Sequence, residues 1–425
     1  MTLPPDHAQR IALNDEVHAR PTTPMSAPLR LSYLALVSDG PPREAGWNAV
    51  RDLMLRYGAP PPAPGANHHR ADLGPFRLRW ESHAEFNRFT ILAPGGTTEP
   101  FRHPALGAVP ADWVAALPGR IMVASHCALL REGEIGLDQQ DIARLFAGNP
   151  LVGSAVAGGG ATAFTDFRIH GDGFSRILVL DRSMNAPQAG RTLQRLLEID
   201  TYRMLALLAL GVARDLAPFL RARELELARI TNALVAAREA DEPGLLERLT
   251  RMEAEIESRE AENLYRFSAS RAYYELVRQR TVELRETRIE GLPTFQEFTE
   301  RRLAPAMDFC RSTSDRQESL AERVARATQL LSTRVDVSRE QQSQALLESM
   351  NRRAQLQLRL QSTVEGLSVA AVTYYVVALV GHLASGLEAG GVRLNPEIAA
   401  AASVPVVAAI VAYGLHKTRK MVHHE

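Results

Sequence analysis

Two uncharged stretches near the C-terminus constrain this chain more than any other feature. Gly366–Leu387 reads GLSVAAVTYYVVALVGHLASGL, 22 residues without Asp, Glu, Lys or Arg. Ile398–Leu415 reads IAAAASVPVVAAIVAYGL, 18 residues whose one ionisable side chain is Tyr413. A bilayer core of about 30 Å takes about 20 apolar residues of helix, so either stretch is long enough to span it. Their flanks separate this reading from a buried hairpin in a soluble core. Arg352, Arg353 and Arg359 precede the first stretch, and Lys417, Arg419 and Lys420 follow the second. The link Glu388–Glu397 holds one Arg and two Glu. Basic residues outside the pair and almost none between them predict spans at about 366–387 and 398–415 with both termini cytoplasmic. Pro405 is expected to kink the second span. Tyr374, Tyr375 and Tyr413 are candidate interfacial anchors.

Residues 1–21 carry Asp6, Arg10, Asp15, Glu16 and Arg20 and lack an apolar run, so no secretory signal is expected there. The mass ahead of the spans is therefore expected on the cytoplasmic side of a bacterial inner membrane. Acids and bases balance at 49 each, which argues against nucleic-acid binding through bulk charge. Cys127 and Cys310 stand far apart and fit no metal or redox spacing.

Three regions precede the tail. Residues 1–185 are rich in Pro and Gly and read as an α+β domain. Strands are expected at 31–38, 76–83, 86–93, 120–128, 162–170 and 174–181, mostly antiparallel, and helices at 44–56 and 139–146. Gly171–Asp172–Gly173 predicts a hairpin between the last two strands. Residues 186–363 read as a long-helix bundle and stalk, since 219–242, 245–290 and 306–365 contain neither Pro nor Gly. The last run of 60 residues is long enough for a rod of about 90 Å. Its apolar residues, Leu320, Val324, Ala327 and Leu331 among them, recur at helical spacing, which predicts a coiled coil and a homo-oligomer. Glu242–Pro243–Gly244 and Gly291–Leu292–Pro293 are expected as turns between long helices. Residues 364–417 form the hairpin of spans and 418–425 a cytoplasmic tail.

Catalytic motifs are weak throughout. Gly158–Gly159–Gly160 lacks the Gly-Lys-Ser/Thr ending of a phosphate loop and reads as a turn. Ser154 lacks the Gly-x-Ser-x-Gly elbow of a hydrolase. His18 beside Asp15 and Glu16 suggests an acid–base or metal cluster, but residues adjacent in sequence point apart, and a cap or turn is the simpler reading. His68 and His69 are expected to be exposed. Thr165–Arg168 and Asp172 are expected to form internal salt bridges near a hairpin. No cofactor is implied, no metal site is assigned, and the chain is not expected to be an enzyme.

One side chain stands out at membrane depth. His382 shares a helix face with Tyr375 and Ser385, and ionisable groups there face a bundle interior or water. Two readings stay open: the face lines a path, or it packs on the second span. Glu388 and Glu397, at the two ends of the link, would form acidic rings at the outer mouth of such a path.

The segments LNDEVHARP (13–21), TDFRIH (165–170), DGFSR (172–176), QRLLEIDTYRMLALLAL (194–210) and residues 349–383 resemble a bacterial family of uncharacterised membrane-anchored conserved proteins, a domain of unknown function. The resemblance covers essentially the whole chain and implies two spans without an assigned activity. A cytoplasmic α/β domain, a long stalk and two C-terminal spans are also similar in plan to the CorA-type magnesium channels. Their Gly-Met-Asn hallmark is absent from 381–391. The resulting expectation is an oligomeric channel or transporter for a cation or small solute, with Tyr375, His382, Ser385, Glu388 and Glu397 along the path. The alternative is a membrane-tethered scaffold or ligand-binding protein without transport.

Overall fold

A computed structural model describes residues 6–11, 13–14, 22–38, 40–95, 99–133, 137–391 and 395–422, the side chains of 415, 416 and 418–422 excepted. The chain forms two compact units, Met1–Ala236 with Glu247–Thr328, and Ala237–Leu246 with Gln329–Glu425.

The first unit is built on one mixed sheet. Its strands are β1 (Leu29–Val37), β2 (His68–Asp72), β3 (Arg77–Ser82), β4 (Phe86–Pro94), β5 (Arg120–Arg131), β6 (Val152–Val156), β7 (Ala161–Thr165), β8 (Ser175–Asp181) and β9 (Thr287–Arg288). They lie in the order β2-β3-β4-β1-β5-β8-β7-β6-β9. All pairs are antiparallel except β5 with β8, where Ser125 stands opposite Ser175. The short helices are α1 (Pro42–Arg56), α2 (Ala111–Ala115) and α3 (Gln139–Leu145), the last started by an Asp138–Asp141 capping box.

Strand alternation gives the sheet two unlike faces. On one, Leu34, Leu78, Trp80, Phe89 and Ile91 pack against Val50, Leu53 and Met54 of α1 and Trp113 of α2. The other face carries Tyr33, Arg79, Glu81, Arg88, Thr90 and Ser125, all buried. It is covered by α4 (Ala186–Ala236), which starts five residues after β8 and packs on β5 and β8. Further along, the buried positions of α4 fall at Ala213, Leu216, Leu220, Leu227 and Ile230, spacings of three, four and seven. The same rhythm recurs in α5 (Glu242–Glu283) at Leu249, Met252 and Ile256.

The turn between α4 and α5 lies at 237–241, upstream of the expected Glu242–Pro243–Gly244. Pro243 sits in the first turn of α5, where its missing N–H costs nothing. Gly291 does turn the chain, at φ +82°. Just before it, however, the chain returns to the sheet, where β9 pairs with Ser154 and Ala155 of β6. Glu286 fastens this return: it accepts the Ser154 hydroxyl (2.8 Å) and the backbone N–H groups of Phe295 and Gln296, which open α6 (Phe295–Arg302).

The strand expected at 162–170 stops at Thr165 because Phe167 takes a left-handed φ of 52°. The hairpin tip remains, with Gly173 at φ +85°. Asp166 is buried there, accepting from Asn149 (2.8 Å) and lying 2.9 Å from His170 Nε2. His68 and His69 form part of the edge strand β2 and are half-buried.

α7 (Ala304–Ala389) runs 86 residues and α8 (Pro396–Val422) 27, the latter continuous through Pro405. In the second unit, Arg334 of α7 pairs with buried Glu242 at 2.7 Å.

Candidate functional site

The densest chemistry lies under α4, on the polar face of the sheet. Three sequence facts assemble it. β3 reads RLRWES, so Arg77, Arg79 and Glu81 share a face opposite Leu78 and Trp80. The register sets Glu81 against Arg88 and Arg79 against Thr90. In α4 the run Glu198–Tyr202 is wholly buried; it turns Glu198 and Thr201 toward the strands and stacks Tyr202 on Tyr273 of α5.

Glu81 is spent on two guanidiniums: Oε1 accepts from Arg79 at 2.6 Å, and Oε2 from Arg88 Nε. Arg88 reaches on to Glu198 at 3.2 Å. Glu198 also accepts from Arg280 of α5 at 2.6 Å and from Gln194 at 2.7 Å. Arg280 continues to Glu283, which accepts from Arg195 at 3.0 Å. Burial raises the Glu81 carboxyl, but the charges and hydrogen bonds of Arg88 and Arg79 outweigh it and hold the group at about 2. Burial alone would lower the Arg88 guanidinium; Glu81, Tyr33 and Glu198 together raise it instead. The Tyr33 phenol, pushed up by burial, stays protonated and sits 2.9 Å from the Thr201 hydroxyl, which donates to Leu197 O.

A second buried cluster adjoins it. Ser125 and Ser175 each donate to Asp200 Oδ2 at 3.1 Å, and Arg203 donates to Oδ1 at 2.5 Å. This resembles a hydrolase triad in composition but not in placement. The neighbouring His126 lies on the opposite face of β5, bonded to Ser32 at 3.0 Å and stacked on Phe174. Burial lowers His126 to about 4, so it is neutral near pH 7, and it touches neither serine hydroxyl; their carboxylate partner Asp200 is itself paired with Arg203. A third contact fastens α5: Glu85 accepts from Tyr273 and Arg266, both at 2.7 Å.

Among the described residues, no group of three His, Cys, Asp or Glu side chains is placed to hold a metal. Cys127 and Cys310 are buried free thiols. Asp15, Glu16 and His18 lie outside the described residues.

Tyr375, His382, Ser385, Glu388 and Glu397 are all exposed. Within 366–387 the α7 positions that lose surface are Val369, Thr373, Val377, Val380, Gly381 and Ala384. A Cβ on Gly381 would stand 3.6 Å from Ala400 of α8. Thus the Tyr375–His382–Ser385 side of α7 is not the side against α8. The Ser385 hydroxyl bonds its own helix, at Gly381 O. Among the ends of the link, Asn395 Oδ1 accepts the Glu397 N–H at 3.1 Å.

The buried charges were the residues that sequence reasoning missed. Alternating Arg and Glu in a strand ordinarily mark a solvent face. The available signal was the acid pair Glu198 and Asp200 inside the apolar run of α4, which needs buried partners.

No curated protein matches the sequence. The profile of a known family covers residues 5–422, both the sheet and the C-terminal helices, and the chain therefore belongs to the family described as a protein of unknown function, DUF3422.

Proposed function

We propose that this chain is a membrane-tethered binding or scaffold protein of the bacterial inner membrane, held by the two C-terminal helices with its α+β unit in the cytoplasm. One observation carries the reading. The two apolar windows have mean hydropathies of 1.8 and 1.7, yet only 6% and 0% of them are buried. A core helix of a soluble protein hides such a surface; these helices leave it outside. The Arg and Lys flanks set the orientation, with both termini inside. The stripe Leu320, Val324 and Leu331 is buried within the chain itself, and what supports assembly of several copies is the exposed apolar side further along α7, at Leu346, Leu347, Met350 and Leu360.

Extraction tests the anchor. Full-length protein is expected to stay with the membrane pellet in high salt and alkaline carbonate and to leave it only with detergent. Release by salt alone would contradict the reading.

A second reading, a cation or small-solute path of CorA-like plan, is favoured by one feature. Tyr375, His382 and Ser385 face away from α8, the side a neighbouring copy would meet, while Glu388 and Glu397 flank the link. Carboxylate rings concentrate cations. Cation flux into proteoliposomes that falls in His382→Ala and Glu388→Ala supports a path; equal leakage with and without protein rejects it.

A further inference from the structure

Just ahead of the first span, α7 passes through a stretch on which, among the described residues, nothing packs. From Arg339 to Val364 every residue is exposed. The stretch is nonetheless two-sided. Leu346, Met350, Leu360, Val364 and Leu367 are between 58% and 74% exposed. With Arg353 and Gln357 they complete the series 346, 350, 353, 357, 360, 364 and 367, stepping by four and three in turn. That is the seam spacing of a coiled coil, kept over about three heptads. The opposite side is wholly polar, with Glu348, Arg352, Gln355, Arg359 and Ser362.

Such a helix does not hold itself up. Exposed helix faces elsewhere are laced by ion pairs one turn apart, such as Arg251–Glu247 in α5 and Arg326–Glu322 in α7. Among the described residues, 339–364 carries no ion pair. Its side chains bond one another only from Gln344 to Glu340 and from Gln361 to Glu365. A helix this poor in internal support is marginal in water unless its apolar side is covered.

The cover is narrowed by three features. First, α7 is one helix from Ala304 to Ala389, so the stretch runs straight into the first span and cannot lie flat on a lipid surface. Second, α8 lies on the Gly381 side of α7. Gln357 and Tyr375 are 18 residues, or five turns, apart, so the seam continues onto the side turned away from α8. Third, the seam complements itself. The Gln357 amide both donates and accepts, so two copies of it satisfy each other, and a polar group at one seam position fixes register.

We propose that a second copy of this chain covers the stripe, α7 pairing with α7 as a parallel, in-register coiled coil over residues 346–367. The pairing rests on the membrane-tether reading: copies that enter one bilayer at Gly366 point the same way and stand at equal height. Gln357 then meets Gln357, and Leu360 meets Leu360. Arg353 is the misfit, because in register it faces its own charge. Its stem lies along the seam while the guanidinium reaches outward. Arg353 thus weakens the seam, and salt, which screens the repulsion, strengthens it.

Oxidative cross-linking of full-length protein in native membranes tests this, with Leu360→Cys on the seam and Gln355→Cys on the polar side. Wild type, whose Cys127 and Cys310 are buried, is expected not to link. Leu360→Cys is expected to give about tenfold more disulfide-linked pairs than Gln355→Cys. Adding Arg353→Leu to Leu360→Cys should raise the linked share, while adding Arg352→Leu on the polar side should leave it unchanged. The same samples are extracted with alkaline carbonate. Chain that stays in the pellet but links equally at 355 and 360, or at neither, overturns the pairing and spares the tether. A linked share that falls in Arg353→Leu overturns the seam as drawn. Chain released by carbonate overturns the tether, and the in-register pairing with it.

Discussion

The sheet unit hides charge, whereas the C-terminal helices display hydrocarbon. Glu81 is 1% exposed and Arg88 6%, while Leu379 is 61% and Ile410 65% exposed. Each half inverts what water alone would favour, for different reasons. In the sheet unit the inversion is balanced internally, because every buried carboxylate of the network meets two or more donors. In the C-terminal helices nothing inside the unit balances it. Leu367, Leu379, Leu383, Leu387, Ile398 and Ile410 are all exposed, and burying each is worth about 1.5–3 kcal/mol. Together they forfeit roughly 10 kcal/mol in water, as much as a whole domain's usual stability of about 5–15 kcal/mol. The contrast teaches that the first unit satisfies its buried carboxylates internally, whereas the second leaves its apolar surface without internal cover.

The largest expected effect falls on the buried charges. Glu81→Gln strips Arg79 and Arg88 of their shared anion and is expected to destabilise the sheet unit by about 3–5 kcal/mol, read from denaturant unfolding. A loss below about 1 kcal/mol would mean that water reaches the network and that the contrast is overstated. Next comes the displayed hydrocarbon. Leu379→Asp, near the middle of the first span, is expected to cost about 2.5–3.5 kcal/mol of insertion and to reduce the membrane-inserted fraction, measured by carbonate extraction. The same substitution should leave the unfolding of the sheet unit unchanged.

The smallest effect is acid sensitivity. Glu81 is held at about 2 when folded, against an ordinary 4.5. The unfolded chain therefore binds the extra proton first, so this group's contribution is complete above about pH 4.5 and disappears as pH falls toward 2. Unfolding midpoints should drop across that window in wild type and more shallowly in Glu81→Gln. Parallel curves would remove Glu81 from the account.

Much of the scaffold was legible because alternation and helical period are local. β1, β4, β5 and β8 lie within a few residues of their expected bounds, as do α1 and α3. β2 was hidden by its polar sequence HHRAD, and β9 by its length of two residues and its arrival from 131 residues beyond β6. The early end of β7 depends on the Phe167 backbone, where Asp166 Oδ1 accepts the Arg168 N–H at 3.1 Å, a turn that overrides an apolar strand pattern. The buried network was illegible for a different reason. Arg79, Glu81 and Arg88 look like a wetted strand face until a helix 110 residues later in the chain supplies Glu198. Of the C-terminal residues, the sequence placed Tyr375, His382 and Ser385 on one side of a helix; only packing tells that α8 occupies a different side.

The central claim, that hydrocarbon displayed by α7 and α8 is facing lipid, is tested most directly at the link between them. Gly390→Cys in full-length protein, with Cys127 and Cys310 buried and so silent, is expected to react with an impermeant maleimide added outside intact spheroplasts. Arg339→Cys, ahead of the first span, should react only after lysis. Gly390→Cys labelled only after lysis, or recovery of the protein in the soluble fraction without detergent, would contradict the account.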